Sequence, residues 1–547
     1  MRVRVLLFAV TILVVVCSPV GRRSRGGDHV VGIDPPSALA RKVDQLIDAQ
    51  LIDERAAPLA SESAFIRRVT LDLAGRIPTV GELTRFRESE RLDKRAELVQ
   101  SLIDSPDFDF HQRNELDLLL LRRIKRDEPW REYLYEAVRD GRTWDQMFRE
   151  IMMPDVVKPD DLRPAAYLVS RVDSLDTMTN DSSILWFGVN VACAKCHDHP
   201  LVDDWKQSHY YGMASFFKRT FRTRKGTLGE RFDGRVKYET TGGESRESQF
   251  MFLSGATIQE PELGLDDETL KAYQESIKKA EREDNAEAPP APKFRPREQL
   301  VSLALHDDSG FFAKNIANRL WARMFGRGLV HPLDQIHTEN PASHPELLEL
   351  LADDLHRHGY DLKRLLHAIA LTDAYARQMS DNSGRPGDPS LFASALPRAL
   401  TPYQLALSFR IATSSPNDVR GLNLEDDWPK RRSEFERQTE SIANRFEIPD
   451  EDFQVSVEEA LWMSNNAQVQ NDYLNAGSNR LVGYLRQIAD DEQLIRSACR
   501  SILSREPETE EMESIAAYLN DHHERRDDAI GHIVWALLTS PEFRFNH

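Results

Sequence analysis

Apolar residues recur at helical spacing along most of this chain. Phe65, Val69 and Leu73 stand four apart, which predicts a helix over Ser61–Leu73 with one apolar face. Pro78-Thr79 opens another. Thr79 is a good N-cap and Glu82 follows three residues on, the spacing of a capping box. Arg95–Ile103 continues the pattern and stops at Ser105-Pro106, and Glu132–Met153 carries more amphipathic helix. An apolar segment, Ile184–Val191, precedes an aromatic-rich helical stretch, Trp205–Phe217. In the second half, Phe311–Phe325 reads as a helix ended by Gly326 and Gly328, and Pro345–His358 as one closed by Gly359. Leu362–Thr372, Asp490–Leu503, Thr509–Asn520 and Asp528–Leu538 follow, while 412–450 reads as loose and charged.

The period changes in the middle. Residues 222–256 contain Gly226, Gly229, Gly234, Gly242 and Gly243 with short β-leaning runs, Val236–Thr241 and Phe250–Leu253, which predict a small hairpin or sheet. Residues 257–297 are acidic, then lysine-rich, then Pro289-Pro290-Ala291-Pro292, the composition of an exposed linker. The expected fold is mainly α: a helical domain at 37–221, a β insertion at 222–256, a linker at 257–297 and a second helical domain at 298–547. Ser105-Pro-Asp-Phe108 and Ser540-Pro-Glu-Phe543 echo one another and read as similar helix ends, since two copies make no solenoid.

The first 25 residues carry Arg2 and Arg4, an apolar run from Val5 to Val16, and then Arg22, Arg23 and Arg25. The run is short for a membrane span and suits the core of an export signal, either cleaved or retained as an anchor. A formal charge of −18 leaves no basic face for nucleic acid. With four cysteines in 547 residues a disulfide framework is excluded, and Cys193 and Cys196 form the one close pair, apart from Cys17 and Cys499.

That pair belongs to Cys193-Ala194-Lys195-Cys196-His197, the spacing of c-type haem attachment. Each thiol can add to one porphyrin vinyl group, and the adjacent histidine can reach the iron from one face. On this reading Cys193 and Cys196 are thioether sites and His197 is an axial ligand, with His209, Met213 or His344 as candidates for the sixth position. A zinc reading takes Cys193, Cys196, His199 and His209 as a tetrahedral set. A disulfide reading needs the two cysteines alone. Asp198, Asp203 and Asp204 flank the motif. They suit hydrogen bonds that orient the histidines, but Asp204 is the better expectation as N-cap of the helix near Trp205.

Several segments together resemble a known pair of domains. Phe65-Ile-Arg-Arg-Val-Thr-Leu-Asp-Leu-Ala-Gly-Arg-Ile-Pro-Thr79, Cys193-Ala-Lys-Cys-His-Asp-His-Pro200 and Tyr210-Tyr-Gly-Met-Ala-Ser-Phe-Phe217 resemble the Planctomycete-type cytochrome-like domain, the domain of unknown function 1549. Asn318-Arg-Leu-Trp-Ala-Arg-Met-Phe-Gly-Arg-Gly-Leu-Val330, Asn340-Pro-Ala-Ser-His-Pro-Glu-Leu-Leu348, Gly359-Tyr-Asp-Leu-Lys363 and Leu537-Leu-Thr-Ser-Pro-Glu-Phe-Arg-Phe-Asn-His547 resemble its C-terminal partner, the domain of unknown function 1553. The resemblance implies identity more than activity, because the family's reaction is not established. Relatives often carry a separate cytochrome c domain. This chain has a single Cys-x-x-Cys-His.

The remaining features have plain readings. Seven histidines between His306 and His367 read mostly as solvated side chains. Asn318, Arg319 and Trp321 suit a buried structural arginine beside a core tryptophan better than a binding site. Tyr210, Tyr211, Phe216 and Phe217 suit core positions first. The expectation is therefore an exported c-type cytochrome-like protein of the periplasm or cell surface. It would transfer electrons or support an oxidoreductase partner through one haem c. The alternative is a non-catalytic scaffold or binding protein with structural Zn2+ or a disulfide at the same motif.

Overall fold

Helix signals in the sequence act locally as they should. In a computed structural model, Ser61 Oγ accepts the Ala64 N–H at 3.2 Å and starts Glu62–Ala74. At the next helix, Val80–Glu88, Glu82 N–H donates to Thr79 Oγ1 at 3.2 Å and Thr79 N–H donates to Glu82 Oε2 at 2.8 Å, completing the capping box. The structure describes residues 34–547 apart from 53–54, 125–127, 158–160, 263, 265, 287–288, 380–386, 420–426 and most of 450–468. The expected export segment, 1–25, lies outside the described residues.

Helices make up 58% of the molecule, with small two-stranded sheets, so the mainly α expectation holds. Three antiparallel hairpins, Thr220–Arg222 with Leu228–Glu230, Lys237–Glu239 with Ser245–Glu247, and Phe250–Met251 with Thr257–Ile258, occupy the predicted β region. A fourth small sheet pairs Arg398–Ala399 with Phe545–Asn546 near the C-terminus. Among the described residues no helix is long and apolar enough to cross a membrane.

Two expectations are corrected. Inside the stretch expected as a linker, Asp267–Arg282 is a helix. Asp266 caps it, and Ile277 and Ala280 pack with Phe221 and Phe232 in a small satellite core. Inside the stretch expected as loose, Trp428–Ala443 is a helix with Trp428, Phe435 and Ile442 buried. The Ser-Pro segments join helices: Pro106–Leu121 and Pro541–Arg544 both begin at their proline.

The cores cross the sequence boundary near 298. One runs from Leu39 to Phe392 and mixes Phe148 and Trp186 with Phe312, Trp321 and Leu365. Trp186 lies 4.7 Å from both Trp144 and Phe148, ring centre to ring centre, and Phe312 closes on Phe148 at 4.8 Å. The second core gathers apolar residues from Leu400 to Phe543 around Leu71 and Ile77. The Glu62–Ala74 helix thus serves both, with Phe65, Ile66 and Val69 in the first core and Leu71 in the second.

A buried ion network ties the second core to the first. The fully buried Arg76 meets Asp107 and Glu82, each at 2.8 Å. Asp107 also accepts from Arg432 at 2.9 Å. Glu436 takes Arg432 at 2.7 Å, Arg113, and the Asn114 amide at 2.8 Å. Burial would raise the Glu436 carboxyl, but Arg113, Arg432 and Arg131 overcome it and hold the group down at about 2.

Candidate functional site

The approach to the cysteine motif is an apolar helix, Leu175–Phe187, capped by Ser174 and ended by Gly188 in the left-handed region at φ +71°. A Cβ on Gly188 would stand 2.6 Å from Ile336 Cδ1 and 2.8 Å from Asn315 Oδ1. The close approach lets a loop of the C-terminal half pair with the chain entering the motif. Ile336 N–H donates to Gly188 O at 3.0 Å, and Asn190 N–H donates to Asp334 O at 2.9 Å. The Asn190 side-chain amide adds a bond to Asp334 Oδ2 at 2.9 Å.

The motif itself is a 3-10 turn, Ala192–Lys195, with Cys196 as its cap. Such a turn has three residues per revolution, so residues three apart eclipse. Val191 and Ala194 are buried, whereas Cys193 and Cys196 are exposed free thiols. The turn therefore pins one edge in the core and presents both sulfurs along the other.

Around this turn the polar groups are tightly bonded. Asp176 binds the Lys195 ammonium and accepts the Tyr210 hydroxyl at 2.5 Å. Burial, then Asp176 itself, raises the Tyr210 hydroxyl pKa, which keeps it a donor. Tyr211 donates to Lys195 O at 2.9 Å and stacks on Tyr238, ring centres 4.1 Å apart. Gln207 Nε2 donates to Cys196 O at 3.1 Å.

His197 is exposed, and its Nδ1 lies 2.7 Å from Asp198 O, which leaves Nε2 outward. His199 and His209 each accept a backbone N–H at Nδ1, from Leu201 at 3.3 Å and Lys206 at 3.1 Å. His209 is half-buried edge-on to Trp205, and burial lowers its pKa. Met213 is fully buried in the first core. His344 is buried against Phe392 at 5.5 Å, with Nδ1 near Ser343 Oγ at 3.1 Å and Nε2 without a partner among the described residues. Among the described residues, no three His, Cys, Asp or Glu side chains are gathered as a ready metal set.

The capping expectation is corrected. The N-cap position of Gln207–Phe217 is Lys206, two residues past Asp204, and the Gln207 N–H donates to Asp198 Oδ1 at 2.9 Å. Asp204 instead accepts from Thr338 N–H at 2.8 Å and Thr338 Oγ1 at 2.9 Å. Sequence reasoning missed this brace and the Asp334 contact, because both partners lie more than 130 residues away and carry no periodic signal. Tyr210, Phe216 and Phe217 are core residues as expected, while Tyr211 stays half-buried.

Comparison with known families fits this architecture. Residues 42–222 match the model described as PSCyt2, protein of unknown function (DUF1549). Residues 296–446 match the one described as PSD1, protein of unknown function (DUF1553). The chain carries a DUF1549 domain followed by a DUF1553 domain, the arrangement its motifs indicate. No curated protein and no solved structure matches it.

Proposed function

We propose that this protein is an exported c-type cytochrome-like protein that carries one covalently attached haem and serves electron transfer or an oxidoreductase partner. The observation that carries the reading is the local chemistry of the Cys193–His197 turn. Two exposed thiols lie on one edge of a 3-10 turn, followed by a histidine whose Nδ1 is engaged by a backbone carbonyl. The donor set fits the group: Cys193 and Cys196 would hold the porphyrin, and His197 would offer Nε2 to iron. Bound there, haem would supply one-electron redox chemistry.

The chain's own residues hold this set in place. Val191 and Ala194 anchor the turn, Gln207 fixes the Cys196 carbonyl, and Asp176 fixes Lys195. The Asp198 carbonyl orients the His197 ring and selects the nitrogen that faces outward. Of the sixth-ligand candidates, His209 is the one not fully buried, and its Nε2 is not the nitrogen that accepts Lys206.

The test is a pyridine haemochrome spectrum after export in a host with cytochrome c maturation. A c-type spectrum that stays with the denatured wild-type chain, and is lost in a Cys193→Ala/Cys196→Ala variant, is the expected result. A folded, exported, colourless protein would overturn it. Stoichiometric zinc released by the same double substitution would then favour a structural metal site, and loss of titratable thiol a disulfide.

A further inference from the structure

A cavity of about 660 Å³ lies between Pro106–Leu121, Leu175–Phe187 and Phe311–Phe325. Its polar lining is dominated by arginine: Arg122, Arg319, Arg323 and Arg327. Two carboxylates, Glu115 and Asp334, also line it, so cations exceed anions by two (4 − 2 = 2).

None of these four arginines forms an ion pair among the described residues. That sets them apart from the buried Arg76, Arg398 and Arg432, which lie within 3 Å of Asp107, Asp72 and Asp107 respectively. Arg319 spends Nε on Asn315 Oδ1 at 2.9 Å and one terminal nitrogen on Ile184 O at 2.8 Å. Arg323 donates to Gln112 Oε1 at 2.8 Å, and its buried Nε has no partner among the described residues. Glu115 acts on Arg323 and Asp334 on Arg319 through space, but neither forms an ion pair with them among the described residues. Glu115 is bonded to Thr401 at 3.4 Å, and Asp334 is held by Asn190 at 2.9 Å. Burial pushes the Arg319 guanidinium down to about 10, with Asp334 opposing it in part.

The arrangement is built into the backbone. Arg319 and Arg323 stand four apart on one helix face. The helix ends at Gly326, and the loop doubles back so tightly that a Cβ on Gly328 would stand 2.3 Å from Val330 O. Asn318 locks that turn, accepting Val330 N–H at 3.0 Å and donating to Val330 O at 2.8 Å. Arg327 is thereby set at the cavity wall. The apolar wall of the lining is leucine-rich, with Leu119, Ile184, Leu320 and Leu333.

We propose that this cavity binds a small organic carboxylate, its headgroup on the Arg319–Arg323–Arg327 cluster and its apolar body against the leucine wall. A guanidinium is a planar fork that matches a carboxylate edge, and the volume suits a ligand of modest size. Asn318 and Arg319 thus combine the structural role expected from sequence with a binding role. The site does not depend on haem, so the two readings fail separately.

The probe is benzoate, titrated by isothermal calorimetry at constant ionic strength, with hexanoate as competitor and benzamide as the neutral isostere. Saturable benzoate binding is expected, displaced by hexanoate and at least tenfold weaker for benzamide. Arg323→Gln and Arg327→Gln should each weaken it about tenfold, and a Cys193→Ala/Cys196→Ala variant should bind as wild type does. Arg327 stands in a loop, so its variant decides the matter if Arg323→Gln does not fold. Absence of saturable benzoate binding, equal binding of benzamide, or unchanged affinity in Arg327→Gln would overturn the proposal.

Discussion

Gly188 shows how a single backbone position can govern the cysteine turn. Its φ of +71° is open to glycine at little cost, and the room for a side chain is taken by Ile336 and Asn315. Gly188→Ala should destabilise the protein by about 1–3 kcal/mol. It should also loosen the pairing of Val189 with Gln335, which holds the entry to the motif. Urea unfolding checks the first effect. Faster alkylation of Cys193 and Cys196 than in wild type, measured in native buffer, checks the second. An unchanged unfolding midpoint would mean that the Ile336 loop gives way freely. Glu436 is a residue of another kind: its carboxylate lies among Arg113, Arg131 and Arg432. Glu436→Gln strips Arg113 of its carboxylate partner and leaves Arg131 and Arg432 only Asp117 and Asp107, and should cost about 3–5 kcal/mol.

Elements divide by whether their signals are local. The Gln207–Phe217 helix is capped from nine residues upstream by Asp198. Asp198→Ala should therefore cost about 1 kcal/mol and speed hydrogen exchange at the first amides of that helix. Asp204→Ala should leave those amides unchanged and loosen Thr338 instead. The reverse pattern would restore Asp204 as the cap. The same division explains what was legible in the sequence. Thr79 and Glu82, Gly326 and Gly359 are neighbours of the ends they make, so those helices could be read directly. Trp428–Ala443 could not, because part of its buried face is charged: Arg432 enters the interior by pairing with Asp107 and Glu436, which breaks the apolar period. Asp267–Arg282 buries little besides Ile277 and Ala280, so its solvated faces read as linker. The Cys193–His197 motif was legible because all of it lies within five consecutive residues. The arginine cavity was not, because whether Arg319 and Arg323 meet carboxylates is decided by helices far apart in the chain.

At the scale of the whole molecule, two cores meet across the Glu62–Ala74 helix and are tied together by ion pairs, so stability should depend on acid. At Glu436 and Glu506 burial acts to raise the carboxyl, but paired arginines win and hold both groups at about 2. For Glu506 these are Arg500, Arg87 and Arg496. A carboxylate held below its unfolded value, near 4.3, gives stability that is fully present above that value. It is lost as pH falls toward 2. Asp109 opposes this: burial pushes its carboxyl up to about 6, so its contribution is full below about 3.9 and fades as pH rises through 6. The interior Glu436 contributes roughly 3 kcal/mol on this account, the shift of about two units converted at 1.4 kcal/mol each. Wild type should thus lose stability steeply between pH 4.5 and 2, while Glu436→Gln, already weaker at pH 7, loses less over the same interval. Urea midpoints for both proteins at pH 7, 5, 4 and 3 give the comparison. Converging curves at low pH place the acid-sensitive tie between the cores at Glu436. Parallel curves would move it to the other carboxylates.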